Sequence, residues 1–98
     1  MNFELSEQAR IDIKQIARYT LLNFGEEQAD EYLDGLFYSF DLLTDNPRIG
    51  KPIQTDISND LHRYTYRSHY VVYEVREDMI RIAAIMNTRQ EFPQDWKS

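Results

Sequence analysis

The 98-residue sequence contains no cysteine, which removes disulfide frameworks, cysteine-ligated zinc, iron–sulfur clusters and thiol catalysis together. Glycine and proline are scarce, three of each, too few for a collagen-like or low-complexity chain. No stretch approaches the roughly 18 apolar residues of a membrane span. The start, Met1-Asn2-Phe3-Glu4-Leu5, lacks the positive region and apolar run of a secretory signal, so a cytoplasmic protein is expected. Positive charge is short as well. Eleven Lys and Arg against 17 Asp and Glu leave a net charge of −6, which argues against indiscriminate nucleic-acid binding and against direct sequence-specific DNA recognition.

What is present is 42% hydrophobic and 13% aromatic, enough for one modest core in a single domain over residues 1–98, with 88–98 as a C-terminal tail. The charge is unevenly placed. Residues 1–44 hold nine acids and three bases, whereas residues 45–98 hold eight of each. Any chemistry that faces an anion therefore belongs to the second half.

Phe3-Glu4-Leu5 alternates as a strand does, and Ser6 followed by Glu7 reads as a helix start. Ile13, Ile16, Ala17, Thr20, Leu21 and Phe24 share one helical face, which predicts a helix over 7–23 directed at the core. Gly25 suits its stop. Glu26-Glu27 opens a second helix, and Ala29, Tyr32, Leu33, Leu36, Phe37, Phe40 and Leu43 carry it to about residue 44. A three-residue connection makes the pair an antiparallel helical hairpin. Asn46-Pro47 and Gly50-Lys51-Pro52 break the pattern, so 46–60 reads as a polar surface loop. Leu61–Tyr66, His69–Arg76 and Met79–Met86 are rich in Tyr, Val and Ile and are separated by Arg67-Ser68 and Glu77-Asp78. They read as a three-strand antiparallel meander. The fold class that follows is α+β in two layers, β-α-α-β-β-β, with the hairpin on one sheet face.

The two histidines, His62 and His69, have no carboxylate spacing that completes a metal site, so neither a metal nor another cofactor is expected. No Gly-x-Ser-x-Gly elbow supports a Ser-His-Asp arrangement. The helix acids Glu26, Glu27, Asp30, Glu31 and Asp34 read as a solvated face. The strands set Arg63, Arg67, Arg76, Arg81 and Arg89 with His69 among Tyr64, Tyr66, Tyr70 and Tyr73. Such a surface grips phosphate, stacks bases or holds a peptide. The plainer alternative is tyrosines packed on the sheet and arginines paired with Glu74, Glu77 and Asp78.

The order Leu5-Ser6, Ala9, Asp12, Ile16-Ala17-Arg18-Tyr19-Thr20, Phe24-Gly25, Gln28-Ala29, Tyr32, Leu36, Asn46-Pro47 and Ile49-Gly50-Lys51-Pro52, then Arg63, Ser68-His69, Val71, Tyr73, Ile80, Ile82 and Thr88-Arg89, resembles the ParE/RelE superfamily of bacterial toxins. The Tyr-Thr, Phe-Gly, Gln-Ala and Asn-Pro pairs are closer to its ParE branch. That resemblance implies the toxin of a type II toxin–antitoxin system, a RelE-like fold, DNA gyrase as the target and neutralisation by a cognate antitoxin, with no catalytic residue. The RelE branch instead implies ribosome-dependent cleavage of messenger RNA, and a third alternative is a non-toxic module that only binds antitoxin. Ala84 stands where many members have Arg, and Asn87 where ParE relatives usually have His, departures that weigh against the nuclease. The partner surface expected is Arg63, Arg67, His69, Arg81 and Arg89, with Phe92 and Trp96 of the tail acting either as exposed anchors or as a lid on the core.

Overall fold

The computed structural model describes residues 2–55, 60–89 and 96–97. β1 (Asn2–Leu5) leads through Ser6 into α1 (Glu7–Phe24), and α2 (Glu26–Asp45) follows. Ser6 binds the two layers together. Its hydroxyl accepts the Ala9 N–H at 3.0 Å as an N-cap and donates to the Ala83 carbonyl at 2.7 Å, while its own N–H reaches the Ile82 carbonyl at 2.9 Å. The helices are joined by Gly25 alone, where the sequence suggested three residues. At φ 91° and ψ 171° Gly25 occupies a backbone region that only glycine enters cheaply, so one residue reverses the chain.

Beyond α2 come β2 (Lys51–Pro52), β3 (Gln54–Thr55), β4 (Leu61–Tyr66), β5 (His69–Val75), β6 (Met79–Asn87) and β7 (Trp96–Lys97). The main sheet has the order β1-β6-β5-β4-β2, and β3 pairs with β7 in a separate ribbon. All main-sheet pairings are antiparallel except that of β1, which runs parallel to β6 with Leu5 opposite Ile82. The two helices and this sheet form the expected α+β layers.

The helix-side core joins Ala9, Ile16, Leu36, Phe40 and Leu43 to Val71, Tyr73, Ile80, Ile82 and Ile85, all buried. Ile82 and Ile85 are an odd number apart yet share this core. A bulge explains it, because Val72 faces Ala84 while Tyr73 faces Ile82, leaving Ala83 as the extra residue. A second, smaller cluster of Ile53, Leu61, Val72 and Ala84 lies on the other face.

Two further expectations change. Residues 46–60 are not simply a surface loop, since β2 and β3 fall within them and Ile53 is 1% exposed, its N–H bonded to the Leu61 carbonyl at 2.8 Å. Leu21 and Phe24 do not reach the core, being 49% and 56% exposed. Periodicity identified their face of α1, but β1 stops at Leu5, so among the described residues no strand on that side of β6 lies beneath the far end of the hairpin. No helix among the described residues is long and apolar enough to cross a membrane.

Candidate partner-binding groove

Where β1 ends, no strand among the described residues takes up its lane beside β6. The result is a groove of about 1240 Å³ walled by α1, the start of α2, the second half of β6 and the β4–β5 turn. Its apolar lining includes Ile16, Tyr19, Phe24, Ile85 and Met86, and its acids are Asp12 and Glu31. Tyr19 and Phe24 pack edge to face with centroids 6.4 Å apart. Asp12 sits on the exposed edge of β6, one carboxylate oxygen accepting the Ile85 N–H at 2.8 Å and the other the Gln8 amide at 2.8 Å. A side chain thus occupies a main-chain bond that a neighbouring strand would make.

The polar end of the groove is built around His69. The Tyr32 hydroxyl lies 2.6 Å from His69 Nδ1 and 3.2 Å from Ser68 Oγ. Burial pushes the His69 pKa below its ordinary value, against an upward pull from Asp12. The imidazole is accordingly neutral near pH 7, and Nδ1 shares a hydrogen bond with the tyrosine hydroxyl whose direction follows the tautomer. Tyr66 donates its hydroxyl to the Tyr32 carbonyl at 2.9 Å, and desolvation holds its phenol pKa up, partly offset by Arg67.

Arg67 closes this end at a backbone φ of 51°. That left-handed value costs a non-glycine residue roughly 1–2 kcal/mol. Its guanidinium stands 5.8 Å from the Tyr32 ring centroid and 5.7 Å from that of Tyr66, and reaches Glu31 at 3.8 Å. These contacts offset part of the strain. Thr88 bonds to the Ser68 carbonyl at 2.9 Å, and the Arg89 N–H to the Asn87 side chain at 2.9 Å, which places exposed Arg89 at the same end of the sheet.

The seven residues singled out from the sequence therefore do not form one surface. Arg67 and His69 line the groove, with Arg89 close by. Arg63 lies near the β2 edge, its guanidinium 4.9 Å from the Tyr70 ring centroid. Arg81 pairs with Glu4 at 3.4 Å. Trp96 stands opposite Thr55 in the β3–β7 ribbon, so the end of the tail folds back onto the domain. Phe92 lies outside the described residues. Arg76 does pair with Glu74, at 2.6 Å. Asp12 and Tyr32 were missed as site residues. The available signal was a carboxylate three residues after Ala9, beside an inward-facing helical stripe.

A family model described as the ParE toxin of the type II toxin–antitoxin system, parDE, matches residues 3–92. The chain belongs to the ParE toxin family. It is 29% identical over 82 residues to Toxin ParE1 of Caulobacter vibrioides, covering 82% of this chain and 84% of that one. The chromosomal ParDE toxin–antitoxin structure from P. aeruginosa matches with a TM-score of 0.73 at 18% identity, over 89% of this chain and 95% of the other. The YoeB dimer from Staphylococcus aureus matches with a TM-score of 0.58 at 20% identity, over 94% and 98%. At these identities the structural likenesses concern the fold. They place the ParE chain in the RelE-like architecture that the sequence resembles.

Proposed function

We propose that this ParE-family chain arrests growth by binding DNA gyrase without catalysing a reaction, and that an antitoxin neutralises it by occupying the groove along α1. The observation that carries the reading is the groove itself, an open sheet edge beside apolar side chains and the carboxylates of Asp12 and Glu31. Such a lining suits an amphipathic segment with basic residues, which matches the acidic first half of the chain. Arg67 and His69 at the groove, with Arg89 nearby, are the partner contacts this reading favours. Family membership and the likeness to a ParDE toxin–antitoxin structure support an antitoxin partner.

The test is DNA supercoiling by purified gyrase. Added toxin stops it and accumulates cleaved DNA, and the antitoxin encoded beside the toxin restores it. Undiminished supercoiling at saturating toxin refutes gyrase as the target. Messenger cleavage of the RelE type draws on one specific feature, the neutral His69 imidazole beside Tyr32 and Arg67. Codon-phased cuts in a translated message, abolished by His69→Gln, are its signature.

A further inference from the structure

The opposite edge of the sheet has a lane of the opposite charge that no described strand fills. β2 pairs only with His62 and Arg63 of β4, so among the described residues no strand lies beside Tyr64–Tyr66 on that side. The hairpin register fixes the direction of the main chain. Tyr66 and His69 flank a two-residue turn, so Tyr64 and Tyr66 direct their N–H and C=O groups at β5 and Thr65 directs its own outward. Leu61 obeys the same parity, its carbonyl accepting the Ile53 N–H outside the strand at 2.8 Å.

A cleft of about 320 Å³ follows this edge, lined by Ile49, Lys51, Arg63, Tyr64, Thr65 and Tyr70 with Gly50 at its base. Lys51 and Arg63 supply cations, exposed Arg48 adjoins Ile49, and among the described residues no carboxylate is in the lining. The wall is held in place. The buried Tyr73 side chain donates its hydroxyl to the Pro47 carbonyl at 2.7 Å and accepts the Gly50 N–H at 3.0 Å. Gly50 packs so closely on β4 that a Cβ there would lie 2.5 Å from the Arg63 carbonyl oxygen.

We propose that this edge is a second binding surface, which takes an acidic, extended segment of a partner protein as an added strand at Thr65, its carboxylates set against Lys51, Arg63 and Arg48. The cations select acid. The outward N–H and C=O of Thr65 select a polypeptide, because a nucleic acid backbone has no amide to offer the carbonyl. The size of the cleft selects an extended chain, since a helix with its side chains is about 10–12 Å across. The inference is independent of gyrase as a target and of antitoxin in the groove.

The test is a titration of the isotope-labelled full chain with a blocked peptide that alternates glutamate and valine. Amide resonances of Lys51 and Arg63–Tyr66 shift, those of the α1 groove do not, and added salt weakens binding. Lys51→Glu weakens it about tenfold, equivalent to about 1.4 kcal/mol. Thr65→Pro removes the outward N–H and keeps every cation, at a position where an edge strand tolerates proline, and abolishes strand addition. Lys51→Glu stands as the separate check should Thr65→Pro fail to fold. Equal binding of a lysine–valine peptide, preference for a DNA duplex, shifts confined to the groove, or unchanged binding by a folded Thr65→Pro variant each overturn the proposal.

Discussion

The two sides of the sheet solve one problem with opposite charges. Beside β6 the lane opens because β1 is short, and Asp12 and Glu31 make it acidic. Beside β4 the lane opens because β2 is short, and Lys51 and Arg63 make it basic. An open strand edge invites indiscriminate pairing. Charge of different sign on the two edges disfavours the same partner on both, and it favours distinct partners on each. The edges also differ in how they are held. The basic one is braced by main-chain proximity and a buried tyrosine, whereas the acidic one relies on side chains that a partner can displace.

Mutations that separate the two edges follow from this difference. The largest effect is expected from Gly50→Ala, whose Cβ collides with the β4 backbone and costs about 2–3 kcal/mol in urea denaturation. Tyr73→Phe strands the Pro47 carbonyl and the Gly50 N–H and costs about 2 kcal/mol, with the Ile85 amide still protected from hydrogen exchange. Asp12→Ala does the reverse. It costs about 1 kcal/mol, and faster exchange of the Ile85 amide shows the loss of protection at the β6 edge while Gly50 stays protected. Arg67→Gly stays within about 0.5 kcal/mol of the parent, because relief of the left-handed backbone offsets the lost ring and Glu31 contacts.

His69 gives a pH-dependent term, expected to be the smallest. Its folded pKa lies below the ordinary value of 6.5, so the unfolded chain binds the proton more readily. The stability it contributes is full above about pH 6.5 and declines as pH falls through that value towards the folded pKa. His69→Gln flattens the stability profile in this window. An unchanged slope shows that burial of His69 has no energetic consequence.

The helices and the meander were legible because each repeats a period over several residues. Ile16, Leu36, Phe40 and Leu43 fall on the faces the spacing assigns and are buried. The two-residue strands β2, β3 and β7 were not legible, since two residues show no alternation. Their pairing depends on chain geometry instead of side-chain pattern. The site was legible in part for a related reason. Arg67 and His69 stand out as a cation and an imidazole at a turn between strands, but the groove they border exists because β1 ends at Leu5, and periodicity does not reveal where a neighbouring strand stops. Asp12 carried no role of its own in the sequence beyond the family resemblance, because its bond to Ile85 spans 73 positions.

The parallel pairing of β1 with β6 also constrains when the molecule can be finished. Asn2–Leu5 align with Met79–Ile82, so β1 meets its neighbour only after both helices and the strands up to β6 have been synthesised. The helical hairpin closes through local contacts much earlier. During translation α1 and α2 therefore await the strand that completes their packing surface, and the groove beside β6 comes into being only once β6 itself has been made.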